Sequence, residues 1–335
     1  MTEKYNKNGF SESKLLNLCS DKMNRSIFRW ASWAPYWTAE IYGFGKYIRK
    51  YGYYPSFLPL CIDTDHGAGR VDHPFNHELE SDSPVMFYHS SLSIENWKKY
   101  STKPSHVLFS PFVFYRRKNN IRKSSSAKGT IAFYSHSIES IDNLLDPEIY
   151  IKQLLNLPAV FQPVSVCLHH TDIKKGDYKI FLKHNIPVYT AGGLGPLFVE
   201  RFYNILRNFS FATSNMVGSY LYYAVEMGLP FSIYGTNPKF INRNNDNFKI
   251  GEWDPYQEFV NYRQVYNLFK GLNTKITVEQ KIIVEDGLGI SDGVSRYEMA
   301  TILYWSFFKW FFSPRFWKWI SMEFLKIKKY SKLSR

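Results

Sequence analysis

An apolar run at residues 57–62 ends in Asp63-Thr-Asp65-His66-Gly67, two carboxylates and an imidazole in a flexible loop. Carboxylates at D-x-D spacing suit a divalent cation held against a diphosphate. Asp65 or His66 at a strand end equally suits a general base that takes a proton from an attacking hydroxyl, and that role is preferred here. A second kind of polar group recurs further on. Ser135-His136-Ser137 follows the run 130–134, and His169-His170-Thr-Asp172 follows 164–168. Ala191-Gly192-Gly193 follows 187–190, and Ser214-Asn215 with Gly218 and Ser219 follows 209–213. Hydroxyls, imidazoles and the free N–H groups of a helix start all donate to phosphate oxygens, and the helix dipole adds positive potential. One such turn is what any capped crossover has; four in succession are what a nucleotide-binding half shows. Zinc is not expected at His169, His170 and Asp172, because Cys19, Cys61 and Cys167 do not cluster with them.

These groups meet only if the elements beneath them are parallel strands. Residues 130–134, 164–168, 187–190, 211–213 and 230–234 are short apolar runs separated by helical patterns at 147–155, 178–184, 196–207 and from Met216 to Gly228. Alternation at this spacing predicts a parallel, doubly wound sheet, whose carboxyl edge forms the ligand crevice. The first half reads as a smaller α/β unit. Helices are expected at 11–33, 39–51 and 94–100, and strands at 57–62, 85–89 and 107–115. Residues 116–128, RRKNNIRKSSSAK, are basic and Ser-rich, which suits a linker. The expected division is an acceptor-side α/β domain at 1–118, a linker at 119–128, a nucleotide-binding domain at 129–273 and a helical segment at 274–335. Glu226, late in its helix, is a candidate ribose contact.

The 335 residues suffice for two domains, each with its own core. A formal charge of +13 asks for an acidic partner: phosphorylated substrate, anionic membrane or nucleic acid. The mean hydropathy of −0.33 is that of a soluble protein. Three scattered cysteines fit reduced thiols in a cytoplasm. The opening stretch, MTEKYNKNGFSESK, is polar, so no signal peptide is expected, and no apolar run is long enough to span a bilayer. Residues 304–335 interleave tryptophan and phenylalanine with Lys309, Arg315, Lys318, Lys326, Lys328, Lys329, Lys332 and Arg335, against a lone Glu323. Such a segment predicts helices lying in an anionic membrane surface, broken at Pro314. Walker, zincin and dinucleotide motifs are missing from the sequence, which removes those enzyme classes.

The stretches GTIAFYSHSIESID, HHTD, IPVYTAGG and FATSNMVGSYLYYAVEMGLPFSIYG resemble the donor-binding domain of two-domain, GT-B type glycosyltransferases that build bacterial capsule, lipopolysaccharide and other surface glycans. The arrangement is similar to the branch with sialyl-, polysialyl- and Kdo-type transferases. The resemblance implies two Rossmann-like domains, to which residues 304–335 add a C-terminal amphipathic helical tail. It also implies an inverting transfer, without cofactor or metal, from a nucleotide sugar, CMP-linked in that branch, to a glycan or lipid-linked acceptor. The enzyme would sit peripherally on the inner face of the cell membrane. In such enzymes a histidine motif and a serine turn hold the donor phosphate; here His136 or His169 resembles the first, Ser214 and Ser219 the second. Asp65 resembles the acidic base, with His66 where the motif has a second carboxylate. Neither His136 nor His169 is followed by proline, as the histidine motif often is in that branch. The rivals are a metal-dependent transferase using Asp63 and Asp65, and a basic nucleic-acid-binding protein; no nucleic-acid module is visible, so nucleic acid is not expected as a partner.

Overall fold

The computed structural model describes residues 6–20, 36–65, 67–135, 140–245, 247–314, 316, 317 and 321. Eleven strands form three sheets among these residues. The first is wholly parallel: β1 (Asp63–Thr64), β2 (Met86–Tyr88) and β3 (Ser105–Val107), in chain order. The main sheet is also parallel. Its strands are β4 (Thr130–Phe133), β6 (Val164–Cys167), β7 (Val188–Tyr189), β8 (Phe211–Ser214) and β9 (Phe231–Ile233), in the order β7-β6-β4-β8-β9. The chain thus runs outward from β4 to one edge and returns to the other side, so the order reverses between β4 and β8. A small antiparallel sheet, β11-β10-β5, joins β5 (Ile141–Asn143), β10 (Phe240–Asn242) and β11 (Gly251–Trp253). The protein is therefore α/β, with two parallel sheets and the expected doubly wound order in the second.

The strands of the main sheet are buried on both faces, as a sheet covered by helices on each side requires. Their register is uniform: Phe133 lies beside Cys167 and Ser214, Cys167 beside Tyr189, and Ser214 beside Ile233. The polar turns that follow these residues consequently emerge at one level along one edge.

Local chemistry overturns several expectations. Residues 107–115 are not a strand: β3 stops at Val107, and Pro111, with its φ already set for the first turn of a helix, starts the helix Pro111–Lys118. Arg116, Arg117 and Lys118 belong to that helix, not to a loop. The run 57–62 delivers only the two-residue β1 at its end. The helix expected at Met216 begins at Ser219, with Gly218 extended at its cap. Two helices, Pro255–Glu258 and Val260–Phe269, replace the single one implied by the pattern from Asp254 to Leu272.

The two sheets do not have separate cores. Ile62, Val85, Phe87 and Leu108 from the first sheet belong to the same apolar cluster as Ile131, Val166, Ala212 and Phe231 from the second. Phe112, at the start of the Pro111–Lys118 helix, stacks on Tyr223 with ring centroids 4.5 Å apart. Chain after residue 274 also crosses between them. The helix Val278–Asp286 packs on Ser219–Glu226, and Leu288 accepts the backbone N–H of Ser110. Gly289 (φ +61°) is needed there because a Cβ would lie 2.2 Å from the Leu108 carbonyl oxygen.

Candidate functional site

The carboxyl ends of β1 and β2 place two titratable side chains against each other. Asp65 follows β1 and donates its backbone N–H to Phe87; His89 follows β2. The register of the parallel pair thus sets one beside the other. His89 Nδ1 is 2.5 Å from Asp65 Oδ1, and the His89 backbone N–H reaches Oδ2 at 3.4 Å. Asp65 is 3% exposed and His89 fully buried. With Asp65 ionised, Nδ1–H donates to it, so Nε2 carries the lone pair. Nε2 has no hydrogen-bond partner among the described residues. An Asp-oriented imidazole with an unspent Nε2 is a proton acceptor in waiting.

Asp63 does not join this pair. Its Oδ1 takes the Thr38 hydroxyl and the Thr64 backbone N–H. The two carboxylates of the D-x-D are therefore engaged by different protein donors rather than converging on one point, and among the described residues no group of three metal-ligating side chains occurs.

A cavity of about 430 Å³ lies where the carboxyl edges of the two parallel sheets meet. Gly67, Phe44 and Phe112 line it from the first side; His169, Ala191, Gly192 and residues 216–220 line it from the second. Most of the remaining wall is aromatic, including Phe133, Phe198, Phe202 and Tyr223. The Asp65–His89 pair stands behind this wall: the ring of Phe44 is 6.0 Å from that of His89. Burial holds the Tyr223 phenol above its ordinary range; Ser110 beside it works the other way, and the charge of Asp65 adds to the rise.

The sequence-predicted residues divide by what they touch. Ser135 and Asn215 sit at the reversal point between β4 and β8, and they bind each other: the Ser135 backbone N–H donates to Asn215 Oδ1 at 3.1 Å, and Asn215 Nδ2 donates to Ser135 Oγ at 3.1 Å. Both are buried, so they brace the edge rather than face the cavity. Ser214 is also buried, its hydroxyl 2.8 Å from that of Tyr220 and accepting the Met216 N–H. Tyr220 in turn stacks flat on Phe133, centroids 4.5 Å apart. Gly218 and Ser219 line the cavity, and Ser219 Oγ accepts the Ala68 N–H at 3.0 Å, stapling the loop after Asp65 to the helix start.

His169 lines the cavity and caps the helix His170–Lys175, with Nδ1 2.7 Å from Thr171 Oγ1. Asp172 is 2% exposed; Oδ2 has no hydrogen-bond partner among the described residues. Burial pushes its carboxyl up to about 7, and the nearby Asp177 adds to the shift. Gly192 (φ +95°) lines the cavity where a Cβ would meet the Leu18 carbonyl at 2.8 Å, and Gly193 donates its N–H to that same carbonyl. His66, His136 and Ser137 lie outside the described residues. Glu226 is not a ribose contact: Arg116 holds it bidentately, at 2.6 Å on both oxygens.

Sequence reasoning missed His89 and the aromatic wall. His89 closes the apolar run VMFYH, and the signal was there: it ends a predicted strand as Asp65 ends another.

No protein-family model matches the chain, and no curated protein matches it. Among solved structures, the wall teichoic acid polymerase TagF, in a structure with CDPG, gives a TM-score of 0.40 at 11% identity, covering 74% of this chain and 67% of TagF. S. aureus MnaA, in a co-structure with UDP, gives 0.34 at 12% identity, covering 76% of this chain and 65% of MnaA. The chain thus spans about two thirds of the length of each.

Proposed function

We propose that the protein is a GT-B type glycosyltransferase, moving a sugar from a nucleotide donor to a hydroxyl of a surface glycan or lipid-linked acceptor, with inversion and without a metal ion. The observation that supports it most is the cavity at which the carboxyl edges of both parallel sheets meet, with the Asp65–His89 pair behind one wall and His169, Gly192, Gly218 and Ser219 of the doubly wound sheet on the other. In open parallel sheets ligands bind at that edge.

His89 replaces Asp65 as the base in this scheme, because the Asp65 carboxylate is taken up by His89 Nδ1. Asp65 is then the positioning residue: it fixes the tautomer and stabilises the imidazolium that forms. The acceptor oxygen attacks the anomeric carbon opposite the nucleotide, and its proton passes to His89 Nε2 once the Phe44 ring, which lines the cavity in front of His89, moves aside. The bond from that carbon to the phosphate oxygen breaks, and its electron pair stays on the phosphate. Backbone N–H groups at the start of Ser219–Glu226 offset the new charge, together with the side chains of Ser219 and His169. The flat aromatic wall at Tyr220 and Phe133 suits the base or ribose of the nucleotide. CMP is the nucleotide suggested by the sequence resemblance.

Thermal shift with CMP, UDP and GDP, alone and as their sugars, identifies the donor, since a ligand of the native state raises the melting point by mass action. His89→Gln should lower transfer about 100-fold or more while leaving the donor-induced shift in place, and EDTA should leave wild-type transfer unchanged. Undiminished transfer by His89→Gln would remove the base assignment. Loss with EDTA, restored by a divalent cation, would favour the metal-dependent reading of Asp63 and Asp65.

A further inference from the structure

The helix Arg296–Phe311 turns an unusual face to water. Its buried residues, Met299, Leu303, Ser306 and Trp310, pack it against the protein; a Cβ on Gly52 would meet Met299 and Leu303 at 2.7 and 2.8 Å. On the other side Tyr297, Trp305 and Phe308 are 77%, 44% and 54% exposed, and Phe312 and Trp317 continue the surface at 75% and 60%. Single exposed aromatics are ordinary, but a run of them along one helix is a contact surface for something. A cation rides on it: Lys309 Nζ lies 4.8 Å from the Trp305 ring.

We infer that this face docks on an anionic bilayer, with the helix lying in the membrane plane. Three observations select that occupant. Tryptophan, tyrosine and phenylalanine paired with lysine match the headgroup region, where rings reach the acyl boundary and cations meet lipid phosphate. From residue 304 to the end the sequence has eight basic side chains and one acidic, a balance that attracts anionic lipid and repels a second copy of itself. No helix among the described residues is long and apolar enough to cross a membrane, so the surface mode is the one available to this helix. The helix rests on Phe44–Tyr51, whose Phe44 lines the cavity beside His89. Taken with the sugar-transfer reading, on which this last step alone rests, a membrane-held acceptor would approach on the side of the base.

The test is flotation of the full chain with vesicles of phosphatidylcholine alone or mixed with phosphatidylglycerol. Binding to the mixed vesicles only, weakened by salt, is expected. The triple variant Trp305→Ser, Phe308→Ser, Phe312→Ser should bind roughly tenfold more weakly or worse, with an unchanged melting point and unchanged nucleotide binding. Lys309→Glu should weaken binding to the anionic vesicles. Equal flotation of wild type and triple variant, or equal binding to neutral vesicles, would overturn the proposal. Self-association of the wild type that the triple variant abolishes, without vesicle binding, would assign the face to a second copy instead. None of these readouts depends on sugar transfer, so the two proposals fail separately.

Discussion

Asp172 is the residue whose environment makes the clearest claim about solution behaviour. Its carboxyl is pushed up to about 7 in the fold, from 3.8, chiefly by burial. A group whose folded value is raised holds its proton in the native state after the unfolded chain has lost it. Its contribution to stability is therefore complete below about pH 4, falls as pH rises through the folded value, and is flat above. Glu78, pushed up to about 8 by burial, acts with the same sign, so the wild-type curve alone does not isolate Asp172. In Asp172→Asn the difference in melting point from wild type should start near zero at pH 4 and grow in favour of the variant until about pH 7; parallel curves would refute the shift. The same burial explains what could be read from sequence here. A polar turn after a strand was visible in HHTD, but a string of letters does not say which polar atoms face the crevice and which sink beneath it. Ser135, Ser214 and Asn215 sank, bracing the edge through one another and Tyr220, whereas His169, Gly192, Gly218 and Ser219 stayed on the wall. Asp65 was legible as a strand-end carboxylate. Its partner His89 lies 24 positions on and is brought to it only by the β1–β2 register.

Elements were most legible where periodicity and punctuation agreed. Pro147, Gly228 and Pro230 bound a helix or strand by fixing or freeing the backbone, and the main sheet is parallel and doubly wound as expected. They were least legible where an apolar run suits either period. PFVFY was expected as strand and is helix, because Pro111 suits a first turn and the aromatics then fall on two faces. That change has consequences across the molecule. The helix directs Phe112 to the cavity and carries Arg116 to Glu226 in Ser219–Glu226, binding the helix after the first sheet to the one that opens the crevice. Arg116 and Glu226 side chains are 14% and 3% exposed, so removing one charge leaves the other poorly hydrated. Glu226→Gln should cost about 3 kcal/mol in urea denaturation, as for a buried pair that loses one partner. Lys281→Gln, at the exposed end of a helix-surface pair with Glu285 3.7 Å away, should cost less than about 0.5 kcal/mol. Similar losses in the two variants would mean the Arg116–Glu226 bridge is as wet as a surface pair.

At the scale of the whole molecule, two sheets suggest two domains that unfold separately, and the packing says otherwise. Apolar residues of both sheets form one continuous cluster, Phe112 stacks on Tyr223, and Gly69 and Ser110 donate backbone N–H groups to Gly287 and Leu288, just after the helix Val278–Asp286. The interface between the sheets is built like an interior, so separating them would expose core surface without leaving either half its own complete core. Scanning calorimetry should accordingly show a single transition whose van't Hoff and calorimetric enthalpies agree. A donor nucleotide should move that transition upward without splitting it, since the cavity is walled by both sheets and a ligand there stabilises both at once. Two resolved transitions, only one of them shifted by nucleotide, would show instead that the halves fold independently and that the ligand belongs to one of them.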